Sequence, residues 1–340
     1  MRKSVVLIYV ILIFVLLIAF FIDMAVGSAN ISFFDFLNAL AGKYENSTTA
    51  FIIYQVRIPR VITAVLVGAS LSVAGLLLQT LFHNPLAGPY VLGISSGAGL
   101  GVAIYLMASV TFMGLSPVYA VSGQIIAALV GSFVVFFMIL SFSWKLSDTV
   151  SLLIIGMMMG SLASAIVGIL EYFAKAEYVH KFVIWSLGSL SSTSWLQLKF
   201  LLPAFFLSVF LSLFLLKPMD ALLMGEMHAR VSGVNVNKVR ISMIVISSLM
   251  AGTITAFTGP IAFVGMTVPH IVRLITGKVS HKIVLPGSIL FGALLMLICD
   301  IISQLPGQAT TLPINAVTAL FGAPVVVLLI LRSKKMRVTF

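Results

Sequence analysis

The chain is 340 residues long, 61% hydrophobic and only 9% Asp, Glu, Lys or Arg, where soluble domains carry about a quarter charged residues, so a water-soluble globule is excluded. At about 20 apolar residues per crossing the length suits ten membrane spans with short connections. The 20 Lys and Arg against 9 Asp and Glu give a net charge of +11, yet the basic residues sit at the ends of apolar runs without interleaved aromatics, which is the pattern of lipid-facing anchors and excludes nucleic acid as a partner.

The first element is an uncharged stretch over 4–22 behind Met1-Arg2-Lys3. A secretory signal cleaved near Gly27-Ser28-Ala29 would begin in the same way. Its apolar core is too long for that and nine further spans follow, so it is read as an uncleaved first helix, about 4–22. Between Arg60 and Lys145 there is no Asp, Glu, Lys or Arg. Spans are placed there at about 61–82, 90–108 and 118–142, separated by the turn-rich segments 83–89 and 114–117. Further uncharged runs lie at 149–170, 200–216, 241–257, 262–272, 283–299 and 301–331. The run at 262–272 contains Pro269 and is extended to about Thr276.

Two connections are more than links. The segment 182–198 contains Trp185 and Trp195 but also Ser186, Ser189, Ser191, Ser192, Thr193 and Ser194, too polar for lipid. It is expected to form a short helix against the outer mouth, because irregular backbone at membrane depth must be covered by protein or line a wet cavity. The loop 217–240 is the one inside connection long enough to form a structured contact surface. If the N-terminus is cytoplasmic, 14 of the 20 Lys and Arg fall on inside ends and loops, so both termini are placed in the cytoplasm of a multi-pass cell-membrane protein. The whole chain, 1–340, is then a single transmembrane domain.

Glycines recur near four-residue spacing within the spans, at Gly68, Gly75, Gly93, Gly97, Gly101, Gly156 and Gly160, as close helix packing in lipid requires. Gly97-Ala98-Gly99-Leu100-Gly101 superficially suggests a dinucleotide loop, but its flanks are apolar spans. A faint internal echo joins Ala74-Gly75, Gly88-Pro89 and Gly93 to Ala251-Gly252, Gly259-Pro260 and Gly265. The first helix of each set runs in the opposite direction across the membrane, as in an inverted repeat, with halves at about 57–170 and 240–332. Chance is the alternative.

No catalytic constellation can be assembled. The five histidines have no zinc-protease spacing, no Gly-x-Ser-x-Gly elbow occurs, and Gly42-Lys43 and Gly277-Lys278 lack the rest of a phosphate loop. The single Cys299 rules out an intrachain disulfide and a Cys-based zinc site. The spans are almost free of charge, with Asp300 near the outer end of the ninth the nearest case. Ion-coupled carriers typically need carboxylates near mid-membrane. A passage driven mechanically from outside the bilayer does not, and any ATP would be hydrolysed by another chain.

The residues Arg57-Ile58-Pro59-Arg60, Val67-Gly68-Ala69, Ala74-Gly75, Asn84-Pro85-Leu86-Ala87, Ser96-Gly97-Ala98-Gly99, Trp185-Ser186-Leu187-Gly188, Gly225-Glu226, Gly259-Pro260-Ile261-Ala262-Phe263-Val264-Gly265, Val268-Pro269-His270 and Gly322-Ala323-Pro324 resemble, in order and nearly in spacing over about 57–332, the permeases of type II ATP-binding-cassette importers. This FecCD-type family takes up ferric siderophores, haem and vitamin B12. The resemblance implies an all-α integral membrane fold with ten transmembrane helices. It also implies a non-catalytic subunit without a cofactor of its own, ATP and Mg being bound by the partner. The implied partners are a second permease, identical or similar, two cassette ATPase subunits, an extracytoplasmic binding protein and membrane lipid.

Residue by residue, the resemblance places Arg57 and Arg60 as outward arginines that meet acidic residues of the binding protein; interfacial anchoring is the alternative. A third basic residue that some relatives carry near Gln304 is absent. The loop 225–235, with Gly225, Glu226, Ala229, Arg230 and Gly233, matches the coupling helix that enters a groove of the ATPase, against a merely solvated loop. Asn84 and Leu86, with the turn Ser147, Asp148 and Thr149, correspond to constrictions of the pathway. Ordinary Asn-Pro turn chemistry is the alternative there. An iron–siderophore complex is the expected cargo, with haem or vitamin B12 behind it and an ion-coupled secondary carrier as the rival class.

Overall fold

The computed structural model describes residues 3–27, 31, 34, 36, 38, 48–108, 120–145, 148–304 and 311–333. Those residues form helices and their connections, the solution open to a chain that must satisfy its backbone inside lipid. The helices are α1 (Lys3–Ala25), α2 (Ile58–Phe82), α3 (Ile94–Ala103), α4 (Ala120–Lys145), α5 (Thr149–Phe173), α6 (Ala176–Ser186), α7 (Trp195–Leu222), α8 (Glu226–Val231), α9 (Val236–Thr258), α10 (Val264–Thr276), α11 (His281–Ser303) and α12 (Ile314–Ser333). Seven spans among the described residues are long and apolar enough to cross a bilayer, and three shorter apolar helices accompany them.

The core is built around α2, which is buried along nearly its whole length. A helix apolar all round belongs inside a bundle, and α2 packs against α11, α9, α10 and α7. Close approach depends on glycine. A methyl on Gly68 would collide with the carbonyl of Gly292 in α11, and one on Gly75 with the carbonyl of Gly265 in α10. Gly97 and Gly101 in α3 stand in the same relation to Gly131 and Ala127 in α4. Lipid is as apolar as leucine, so backbone-to-backbone contact of this kind supplies the packing that solvent exclusion supplies in water. In contrast α1, α4, α5 and α7 leave most of their surface uncovered by the rest of the chain.

The structure corrects four boundaries. The second span does not begin after Arg60 but at Thr48, so both arginines lie inside a helix. The two charges explain the misreading: the uncharged run starts only after Arg60, yet the helix continues back through Pro59 and widens into π-helical turns at Ile52–Arg57, with the Ile58 amide donating to the carbonyl of Ile53. A π turn accommodates the proline that an α-helical interior would reject. The run 90–108 is not one smooth span. It divides into a 3-10 turn at Pro89–Leu92, α3, and π turns at Ile104–Ala108, with Gly93 at φ +71° between the first two.

The segment 182–198 also differs. The short helix lies earlier, as α6, and the serines after it form a turn rather than a helix. Ser194 opens α7 with a capping box shared with Gln197, so Trp195 belongs to the long helix. Finally, the uncharged run 301–331 is not continuous, because α11 extends to Ser303 and α12 starts only at Ile314.

Before α10 the chain runs irregularly through 259–263, with Gly259 and Phe263 at positive φ. The Ala262 amide of this segment is satisfied from α12, where Asn315 Oδ1 accepts from it at 3.0 Å; the backbone amide of Asn315 in turn donates to the Leu187 carbonyl after α6 at 3.2 Å. That meets the requirement for non-helical backbone among spans.

Candidate functional site

At one end of α2 the two arginines turn inward. Arg57 is 5% exposed, and its Nη1 donates to the carbonyls of Met24 and Ala25 at 3.0 and 2.6 Å. It closes the C-terminus of α1, where unpaired carbonyls favour a cation. Arg60 forms a two-pronged pair with the fully buried Asp300 of α11, Nε to Oδ2 at 2.9 Å and Nη2 to Oδ1 at 2.7 Å. Gln304 extends the network, donating to Asp23 Oδ1 of α1 at 2.7 Å. Both guanidiniums thus hydrogen-bond within the chain and tie α1, α2 and α11 together, rather than pointing outward.

At the other end the segment after α7 is folded tightly. Gly225, at φ +102°, turns the chain into α8, and Ala229 is its fully buried contact. Glu226 Oε1 accepts from Arg240 Nη2 of α9 at 3.0 Å. The helix ends in a Schellman motif. The Val234 amide donates to the Ala229 carbonyl and the Gly233 amide to that of Arg230, both at 3.0 Å, with Gly233 at φ +82°. Asn235 then caps α9 by accepting from the Lys238 amide at 3.1 Å. With one face anchored, the other is open. Met227 and Val231 are 77% and 82% exposed, Met224 is exposed beside them, and so is Arg230.

The constriction residues have local duties. Asn84 Oδ1 accepts from the Leu86 amide at 2.9 Å, the turn chemistry of an Asn-Pro pair. Asp148 caps α5, accepting from the Ser151 amide and hydroxyl, each at 2.8 Å, and from the Val150 amide at 3.2 Å. Those hydrogen bonds, chiefly from Ser151, hold its carboxyl below the usual carboxylate range, and the Arg240 guanidinium adds a smaller attraction. Thr149 opens the helix; Ser147 lies outside the described residues.

Sequence reasoning missed a polar seam at this same end, where α2, α7 and α10 finish and α11 begins. Asp220 Oδ1 accepts from the amide of His281 at 2.7 Å, and its Oδ2 from the hydroxyl of Ser280, the residue preceding α11. The His281 ring then bridges Asp220 at 2.6 Å and Thr80 Oγ1 of α2 at 2.8 Å. Arg273 Nη1 donates to Gln79 Oε1 at 2.8 Å, and Gln79 Nε2 donates to the Met266 carbonyl at 2.9 Å. The signal was present, since a charged or imidazole side chain beside an apolar run needs a partner, but its partner lies 60 to 200 residues away. Among the described residues no group of three or more His, Cys, Asp or Glu is placed to hold a metal.

This arrangement has known counterparts. The model of the FecCD transport family matches residues 15–332. The hemin transport system permease protein HmuU of Yersinia pestis is 32% identical over 323 residues, covering 94% of this chain and 96% of that protein. The vitamin B12 import system permease protein BtuC of Klebsiella pneumoniae is 34% identical over 293 residues, 86% of each. A solved structure described as an inward-facing conformation of a metal-chelate type ABC transporter superposes with a TM-score of 0.80 at 29% identity, covering 94% of this chain and 97% of that one.

Proposed function

The chain belongs to the FecCD transport family and is a multi-pass ABC importer permease, and from that premise we propose that it carries an iron–siderophore complex across the cytoplasmic membrane. The relatives named for hemin and vitamin B12 mark the alternative cargoes. In this reading the chain makes ten crossings with both termini in the cytoplasm. It pairs with a second permease and lets the cargo pass along their interface.

The observation that carries the reading is α8. A six-residue helix cannot persist alone in water, yet this one is fixed by a buried alanine, an ion pair and a Schellman stop, and beside Met224 it still offers Met227 and Val231 to solvent. Such a rigid apolar knob suits the groove of a cassette ATPase and moves as one body with α9. Nucleotide and Mg belong to that partner. The cargo arrives on a binding protein that docks over the ends of α1, α2 and α11, which Arg57 and Arg60 hold in place rather than contact it themselves. The turns at Asn84–Leu86 and Asp148–Thr149 act as the inner constriction.

The test is uptake of a radiolabelled ferric siderophore into vesicles holding the permease, its ATPase and the binding protein. Accumulation that requires ATP and survives an ionophore is expected; accumulation that follows an ion gradient without nucleotide would contradict it.

A further inference from the structure

Seven acidic residues are described, and six of them are engaged within the chain: Asp23, Asp148, Glu177, Asp220, Glu226 and Asp300. Glu171 is the exception among the described residues. It stands in the last turn of α5, half-buried, with no hydrogen bond or ion pair to its carboxylate. It lines a cavity of about 310 Å³ between α3, α5 and α6, together with Ser95, Ser96, Ser164, Trp185 and Ser186.

The periodicity of α5 supports a wet role for this face. Ser161, Ser164, Gly168 and Glu171 are spaced by three, four and three residues, which puts them on one side of the helix. Turned toward lipid, that side would leave hydroxyls and a carboxylate in hydrocarbon, an arrangement membrane proteins avoid. The opposite wall is aromatic, with Phe182 and Trp185 stacked at 6.1 Å between ring centroids. Among the described residues no ion pair reaches the carboxylate: Lys181 is taken up by Glu177, and neither of them, nor Lys175 four residues after Glu171, lines the cavity.

We propose that this cavity is a binding site within the permease for a cationic, donor-bearing arm of the transported chelate, with Glu171 as its counter-charge. The inference rests on the transport reading above and narrows its cargo. An ammonium group can place its donors on the carboxylate and the serine hydroxyls while its positive charge faces the rings of Trp185 and Phe182. Chelates with anionic rims, such as those carrying catecholates or propionates, meet an uncompensated negative charge and are disfavoured. The cavity takes one arm of a chelate rather than the whole.

The probes are the iron(III) complex of a linear trihydroxamate bearing a free terminal ammonium, and the same complex with that amine acetylated. Each is titrated into the assembled permease–ATPase complex in lipid nanodiscs. Quenching of Trp185 fluorescence is followed with Trp144→Phe and Trp195→Phe removing the other indoles. The ammonium probe should bind about tenfold more tightly than its acetylated form. Glu171→Gln should bring that ratio to about one, and Glu171→Asp, which keeps the charge and controls for folding, should retain part of it. Equal affinities in the parent protein, no saturable quenching by either probe, or an unchanged ratio in Glu171→Gln would each overturn the site. ATP-driven uptake is read separately in vesicles of the same preparation, so loss of transport with the binding difference intact counts against the transport reading and not against the site.

Discussion

The arginine cluster at the N-terminal end of α2 and the segment around α8 both looked, by resemblance, like docking surfaces, and the structure separates them. At the first, the polar side chains turn inward: Arg57 onto the carbonyls ending α1, Arg60 onto Asp300, and the neutral Gln304 onto Asp23. At the second, the charges of Glu226 and Arg240 are likewise paired, but three large apolar side chains point out. A paired buried charge holds its own chain in register; an exposed apolar cluster on a rigid helix awaits another chain.

The contrast can be broken most forcefully at Asp300. Asp300→Ala leaves the Arg60 guanidinium buried beside a hole, and removing one partner of a buried pair costs about 3–5 kcal/mol. Thermal unfolding in detergent should show a large loss of stability. If Asp300→Ala melts like the parent protein while losing receptor-dependent uptake, Arg60 is a docking charge after all.

Next comes Gly75→Ala, where the added methyl meets the Gly265 carbonyl and overpacking costs about 1–3 kcal/mol. Reduced yield of folded protein with α8 intact would follow, checked by the same melting curve.

Met227→Asp with Val231→Asp should leave stability within about 0.5 kcal/mol, since both positions are exposed and outside any packed network. The ATPase should nevertheless no longer co-purify, the reverse of the pattern at Asp300. Co-purification at the parent level would show that the apolar face of α8 is not the contact.

The smallest effect is at Asp148. Its carboxyl is held below the ordinary range in the folded chain, so its contribution is present above the unfolded value and lost as pH falls through the folded one. Asp148→Asn keeps an oxygen acceptor at the cap without the charge. Melting curves of the variant should lie slightly below the parent near neutral pH and converge with it as the pH falls below about 4, so that the variant lacks that part of the parent's acid dependence. An identical acid profile would remove Asp148 from the account.

Much of the fold was readable because lipid imposes a coarse rule. An uncharged run of twenty residues has to become a helix, and α4, α5, α9 and α11 emerge within a few residues of their expected bounds. What failed has physical reasons. Arg57 and Arg60 seemed to bound the uncharged run, and only the π turns before Pro59 show that the helix continues past them. Ser303 and Ile314 belong to different helices although no charge separates them. Of the candidate site, Glu226, Ala229 and Gly233 were singled out by the resemblance, and the structure gives them a pair, a packing contact and a positive-φ stop. Arg60 could be noticed but not interpreted, since Asp300 lies 240 residues away. Glu171 went unremarked because a lone glutamate near a helix end looks like an anchor until its neighbours prove to be serines from α3 and α6.

The central claim is that work enters this conduit through α8. It is tested most directly in vesicles containing permease, ATPase and binding protein, by measuring ferric siderophore uptake with ATP supplied on the ATPase side, for the parent chain and for the Met227→Asp, Val231→Asp pair. The account predicts accumulation by the parent and none by the pair, with equal amounts of folded permease in both. Equal accumulation by the two, or accumulation by the permease alone without nucleotide, would contradict it.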